Sequence, residues 1–223
     1  MKTDENKTCP VWLRILIVLL TPFLLIMFAI RIMTNPLFAR IEYQMPNFPS
    51  DVYGFEQEER LEYAIYGIKY LTNDKEINFL GDLTFEDGSP LFKDRELSHM
   101  VDVKVLIGKA LSAWYGIAFL MGLLTIWAKQ TNRWRGFRTV LGLGGNLTIG
   151  LLVLGGITLA INFDWLFTQF HYLFFEGDTW LFYTSDTLIR LYPMRFWQDA
   201  FIAVFSLTLI GSILLIWQAK KNP

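Results

Sequence analysis

The sequence predicts an all-α polytopic membrane protein. It has four transmembrane helices, an extracellular cap between helices 1 and 2, and an aromatic interfacial loop between helices 3 and 4. Three observations predict it. The 223 residues are 53% hydrophobic and only 18% charged, whereas a soluble domain is roughly 45–50% apolar and about 25% charged. Four windows reach the ~20 mostly apolar residues that a spanning helix needs. Lys and Arg gather in the segments that this arrangement puts on one side of the bilayer. The whole of 1–223 reads as a single integral membrane domain.

The first span is Val11–Met33. It contains Pro22, which kinks a membrane helix without forbidding it. Lys2 and Lys7 would suit a cleavable signal peptide, but the apolar run exceeds the usual ~7–15 residues. The chain continues Thr34-Asn35-Pro36-Leu37 with no small-x-small cleavage site, so the span is expected to stay. The outer cap, 34–105, opens with Pro36, Pro46 and Pro49. A helix is expected over 55–71, where Leu61, Ile65, Ile68 and Leu71 recur at helical spacing. Residues 77–85 suit a short strand pair or an irregular stretch. Ser89-Pro90 reads as a helix start, with Ser as cap and Pro in the first turn. From Asp94 a helix is expected to run unbroken into the second span, 106–128.

The third span, 139–163, contains Gly142-Leu143-Gly144-Gly145. Inside a span such a run favours close helix packing over phosphate binding. The outer interfacial loop, 164–199, is crowded with aromatic residues, which favour the membrane interface. Arg190 and Arg195, flanking Pro193, are expected near lipid phosphates. The fourth span, 200–218, ends at Lys220 and Lys221.

Orientation follows from the positive-inside rule. The link between spans two and three carries Lys129, Arg133, Arg135 and Arg138 and no acid. The C-terminal tail is basic, and the N-terminus sets Lys2, Lys7 and Arg14 against Asp4 and Glu5. Both termini are therefore expected in the cytoplasm, with 34–105 and 164–199 outside.

Several chemistries drop out. A net charge of −1 offers no footprint for nucleic acid. Cys9 alone permits no internal disulfide, and two histidines permit no three-histidine metal site. No ligand spacing supports zinc on His99, His171 and a carboxylate, so no metal or cofactor is expected. There is no Gly-x-Ser-x-Gly elbow, and Cys9 lies on the wrong side for an outer nucleophile. Two residues, not four, separate His99 from Asp102, which excludes the His-four-residues-Asp motif of glycerolipid acyltransferases. Nothing in the sequence specifies an oligomeric state.

The two histidines remain. On a helix, Glu96 and Asp102 each lie three residues from His99 and share its face, and a carboxylate beside an imidazole fixes its tautomer. The bland reading makes Glu96, Asp102 and Lys104 the solvated top of a membrane helix. His171 sits between Phe170 and Phe174-Phe175, as a reactive group or as an amphipathic plug. Titratable groups at membrane depth are functional candidates by default, and both rings fall on the outer side.

The segments Arg95-Glu96-Leu97-Ser98-His99-Met100-Val101-Asp102-Val103-Lys104 and Phe170-His171-Tyr172-Leu173-Phe174-Phe175 resemble the bacterial lipoprotein intramolecular transacylase family. Asp178-Thr179-Trp180, Asp186-Thr187-Leu188-Ile189 and Tyr192-Pro193 extend the resemblance across the chain. It implies transfer of the sn-2 acyl chain of a diacylglyceryl lipoprotein to the α-amino group of its N-terminal cysteine, leaving a lyso-form lipoprotein. It also implies His99 and His171 as the active-site pair. Asp102, Glu96, Trp180, Asp186 and Arg190 are weaker supporting candidates without assigned roles. Diacylated lipoproteins and membrane phospholipid are the implied partners, at the outer leaflet of a bacterial plasma membrane. Such a reaction needs no Ser or Cys nucleophile, because the substrate brings both ester and amine. His171, in the more apolar setting, is the expected base. The competing readings are a non-enzymatic lipid-binding or scaffold protein and an acyltransferase with a separate phospholipid donor.

Overall fold

The computed structural model describes residues 9–221; Lys2, Asp4, Glu5 and Lys7 of the orientation argument lie outside the described residues. The described chain is helical, with one isolated bridge, Thr84 to Pro90. In chain order the helices are α1 Val11–Met33, α2 Pro36–Glu42, α3 Gln57–Tyr70, α4 Asn78–Gly81, α5 Asp94–Gln130, α6 Trp134–Ile161, α7 Phe163–Phe174, α8 Thr187–Leu191 and α9 Met194–Lys220. Four of them, α1, α5, α6 and α9, are long and apolar enough to cross a membrane, as the sequence predicts.

The chain divides into two compact units. One is built from Met1–Ile30, Leu111–Ile161 and Ala203–Pro223. Its core holds Cys9, Leu13, Ile17, Met121, Ala128, Phe137 and Val140, while Leu19, Phe119, Leu154 and Ile161 are exposed. Apolar residues inside and out are what a bundle in lipid requires, since the surrounding hydrocarbon is as apolar as the core. The glycines of α6 act as the sequence suggests. A Cβ on Gly144 would fall 2.5 Å from the Cβ of Thr21, so only glycine allows α1 and α6 to approach this closely. Thr21 is buried beside Pro22, and its hydroxyl donates to the Ile17 carbonyl at 2.7 Å.

The other unit comprises Arg31–Ala110 and Asn162–Ile202. Asn35 caps α2 by accepting from Leu37 N at 2.9 Å, with Pro36 in the first turn, where its missing N–H costs nothing. The face of α3 that carries Ala64, Ile65 and Ile68 is buried, as its periodicity implies. Ala64 and Ile68 pack with Tyr43, Leu80, Phe92, Leu191 and Tyr192 in one core. Tyr192 donates to Ala64 O at 2.6 Å, and its hydroxyl takes the space that a Cβ on Gly67 would need. Tyr43 donates to Leu191 O at 2.6 Å. Buried Arg60 donates from Nη1 to Pro49 O and from Nε to Arg190 O, tying three stretches of chain together.

Three local expectations change. Residues 77–85 carry the single-turn helix α4 and no strand pair. Ser89 does not start a helix, because Asp87 captures it: the Asp87 carboxylate accepts from both the backbone N–H and the hydroxyl of Ser89. Helix α5 begins instead at Asp94, where the Glu96 carboxylate reaches back to Lys93 N at 2.8 Å, the returning half of a capping box. The third long helix stops at Ile161, before the expected 163. Asn162 accepts from Trp165 N and caps a new helix, α7. The expected aromatic loop thus starts as a helix whose Trp165, Tyr172, Leu173 and Phe174 are exposed.

Candidate active site

Helix α5 is 37 residues long, roughly 55 Å at 1.5 Å per residue, far more than the ~30 Å hydrocarbon core. Its first eleven residues hold Asp94, Arg95, Glu96, His99, Asp102 and Lys104 and lie outside the apolar part that begins at Leu106. On these turns Glu96, His99 and Met100 are buried and Asp102 is exposed. At about 100° per residue, the buried arc centred on Glu96 and Met100 reaches His99 at its edge. Asp102 falls about 60° further round and does not meet the ring. His171 is one of two buried residues of α7, with Phe163.

The structure brings the two histidines together. Their ring centroids are 6.2 Å apart and the planes differ by 25°. Aromatic rings enclose them: Phe175 and Phe182 meet His99 edge-on at 5.0 and 5.3 Å. His171 lies between Phe167, at 4.2 Å, and Trp180, stacked at 4.7 Å. Tyr172 holds the Trp180 indole edge-on at 5.2 Å. Both imidazoles are at least nine-tenths buried.

This enclosure sets their charge and tautomer. Burial, then the neighbouring His171, pushes the His99 pKa down to about 4. Burial also lowers that of His171, opposed by a hydrogen bond to Phe167. Both rings are neutral near pH 7. His171 Nδ1 lies 2.8 Å from Phe167 O; a carbonyl only accepts, so Nδ1 carries the proton and Nε2 presents a lone pair. His99 Nδ1 is sealed from solvent without a hydrogen-bond partner. The nitrogen that His99 offers outward is therefore Nε2 as well.

The supporting candidates divide. Glu96 is fully buried, but it does not tune His99. Its oxygens accept from Lys93 N and, at 2.7 Å, from Leu188 N, which joins the start of α5 to α8. Asp186, also fully buried, accepts from Lys93 Nζ at 2.6 Å, from Arg95 and from Tyr183 N at 2.7 Å. Trp180 alone of the five touches a histidine ring, and its buried Nε1 has no partner. Arg190 meets Asp51 rather than lipid phosphate, at 2.9 Å with side chains 9% and 3% exposed. Arg195 pairs with Asp199 on its own helix. The sequence set Phe175 beside His171, but it did not mark Phe167 and Phe182 as histidine neighbours, Phe175 as a neighbour of His99, or Lys93 and Arg95 as partners of Asp186. Only the i−4 spacing of Phe167 from His171 was a usable signal. Among the described residues no group of three or more His, Cys, Asp or Glu is placed to hold a metal ion.

Comparison with known proteins adds a family. A model described as lipoprotein intramolecular transacylase Lit matches residues 15–197. A protein of Aquifex aeolicus (strain VF5), described as uncharacterized, is 33% identical over 203 residues, 91% of each chain. The solved structure of the membrane-integral lipoprotein intramolecular transacylase Lit from Bacillus cereus covers 92% of this chain and 94% of its own, at 24% identity and a TM-score of 0.73. A variant of that protein with one histidine changed to alanine aligns over 94% of this chain and 93% of its own, at 23% identity and a TM-score of 0.67. These structures share the fold.

Proposed function

We propose that this chain, which belongs to the lipoprotein intramolecular transacylase family, uses His99 and His171 to move the sn-2 acyl chain of a diacylglyceryl lipoprotein. The acceptor is the α-amino group of the lipoprotein's own N-terminal cysteine, and the product is the lyso-form lipoprotein. The observation that carries this reading is the pair of neutral imidazoles, 6.2 Å apart in an aromatic enclosure.

The two rings suit opposite tasks. His171 Nε2 has the lone pair and takes the proton of the substrate ammonium. An unmet acceptor is the commoner orphan in protein interiors than an unmet N–H, so the sealed Nδ1 of His99 favours the tautomer with its proton on Nε2. That N–H hydrogen-bonds the oxyanion as the amine attacks the ester carbonyl. The second proton lost by the attacking nitrogen passes by way of His171 to the sn-2 alkoxide as the C–O bond breaks, so His99 stays neutral throughout. One amide forms and one ester is lost. The amine has a reference pKa of about 7.7–8.0, so its activation is undemanding. Holding amine and ester in reach accounts for roughly 7–11 kcal/mol of the barrier, and proton transfer for a further ~10²–10⁴-fold.

The basic link Lys129, Arg133, Arg135 and Arg138 supports a cytoplasmic position for both termini. The histidines then act at the outer leaflet, where diacylated lipoproteins reside. Cysteines placed at Asp87 and Asp178 should react with an impermeant thiol reagent on intact cells, and one at Thr131 should not; labelling at Thr131 would reverse the orientation.

The activity test is expression in a bacterium that makes diacylated lipoproteins, with mass spectrometry of their N-terminal peptides. The expected product has one acyl chain on nitrogen, one on glycerol and an unchanged acyl count. An added chain would mean an external phospholipid donor. Unmodified diacylglyceryl peptides despite verified membrane expression would refute the proposal.

A further inference from the structure

The chain from Asp178 to Tyr183 has two faces. Trp180 and Phe182 turn onto His171 and His99. Asp178, Thr179, Leu181 and Tyr183 are exposed and, with Phe182 and Arg95, line a cleft of about 450 Å³, within the ~300–1,000 Å³ of ordinary ligand sites. Phe182 belongs to both faces: its ring meets His99 at 5.3 Å and lies 5.4 Å from the Arg95 guanidinium. The cleft therefore starts one ring away from the proposed reaction centre.

Its chemistry is mixed and nearly neutral. Arg95 is already paired with buried Asp186, which also meets Lys93. Nη2 of Arg95 is engaged there and Nε is sealed, which leaves Nη1 as the donor toward the cleft. Asp178 and Thr179, in the same lining, supply acceptors. Leu181 and Tyr183, 50% and 70% exposed, add apolar surface. An anionic headgroup would call for unmatched positive charge, and this cleft has none to spare. A peptide main chain, uncharged and alternating N–H with C=O, fits the donor and acceptors together.

We infer that this cleft binds the backbone of the residues that follow the lipidated cysteine, so that Arg95, Asp178 and Thr179 position the substrate through its peptide. The inference rests on the transacylase reading above. Three residues of extended chain span about 10 Å, enough to run from an amine at the histidines past Phe182 into the cleft. Main-chain recognition ignores side-chain identity, as an enzyme acting on many different lipoproteins would need.

The test uses the full chain in detergent and three substrates: diacylglyceryl-cysteine amide, the same head extended by four residues, and the extended form N-methylated at the second residue's amide. The extended substrate should show a kcat/KM about tenfold higher than the short one, the size of one or two net hydrogen bonds. N-methylation should remove most of that advantage, chiefly through KM, and this arm needs no protein variant. Asp178→Ala should likewise bring the long-to-short ratio close to one. Measurable transfer with equal kcat/KM for all three substrates would overturn the peptide cleft and leave the transacylase reading standing. Absence of transfer from every substrate by folded protein would overturn both.

Discussion

The two units treat buried polar atoms in opposite ways. In the unit of Met1–Ile30, Leu111–Ile161 and Ala203–Pro223, buried Thr21, Thr148 and Ser212 each donate to the carbonyl four residues back in the same helix. Each hydroxyl is satisfied locally, whatever its neighbours do. In the unit of Arg31–Ala110 and Asn162–Ile202, buried Glu96, Asp186 and Arg60 and half-buried Arg190 bond across separations of 91 to 139 residues. Lipid explains the first pattern: hydrocarbon offers no partner, so these hydroxyls turn to the backbone of their own helix, and part-buried Trp114 likewise donates to a backbone carbonyl, Leu24 O at 3.0 Å. The second pattern fixes irregular chain in place, and the two histidines sit inside it with ring nitrogens left over. What differs is that one unit stores rigidity in packing and the other in paired charge.

Breaking a link in the charged unit should have the largest effect on stability. Glu96→Ala leaves Lys93 N and Leu188 N without an acceptor, and at about 1–3 kcal/mol for each unsatisfied group the loss should be about 2–6 kcal/mol, read by denaturant unfolding in detergent. Glu96→Gln keeps one acceptor and should lose about half as much. A loss below ~1 kcal/mol for the alanine variant would mean the carboxylate is not the link. In the apolar unit the damage comes through packing. Gly144→Ala places a Cβ against Thr21, and overpacking of this kind costs about 1–3 kcal/mol. Wild-type stability in that variant would show that α1 and α6 have room to separate.

The enclosure of the histidines makes a pH prediction. Both folded pKa values lie below the ordinary 6.5, that of His99 at about 4, so both rings are still mostly neutral at pH 6.5. The logarithm of the transfer rate should fall with a slope of one below the amine's pKa of about 7.7–8.0, with no second break near 6.5. A slope steepening to two at 6.5 would place a solvent-like histidine in the reaction. The smallest effect belongs to exposed Asp102: Asp102→Asn should change stability by no more than ~0.5 kcal/mol and transfer by less than about twofold. A hundredfold loss, on the scale of a general acid–base group, would return Asp102 to the site.

How much of this was legible in the sequence follows the same division. The four long helices could be read because hydrophobicity accumulates along the chain, and Gly142-Leu143-Gly144-Gly145 announced close packing. The pair His99 and His171 could be expected together because a four-span plan puts both on one side of the bilayer. Errors arose where a distant partner or a competing cap decided the outcome. Arg190 looked available for lipid because Asp51 is 139 residues away in sequence. Glu96 looked like a partner of His99 because Leu188 N could not be foreseen. Ser89 lost its role as cap to Asp87, two residues before it, and Asn162 cut the third span short. The aromatic enclosure was visible as composition but not as contacts, since Phe182 reaches His99 only after α7 has turned back.

The central claim is that two neutral imidazoles carry the reaction, His171 as the proton carrier and His99 as the hydrogen-bond donor to the oxyanion. The most direct test measures transfer rates by mass spectrometry for His99→Gln, His171→Gln and the double variant, each verified as inserted and folded. Glutamine keeps a hydrogen-bonding amide and removes the titratable ring. Each single variant should lose about 10²–10⁴-fold, and the double variant should be little worse than either, because members of one catalytic unit are not additive. Near-normal turnover in the double variant would contradict histidine acid–base chemistry and leave positioning alone to account for the reaction.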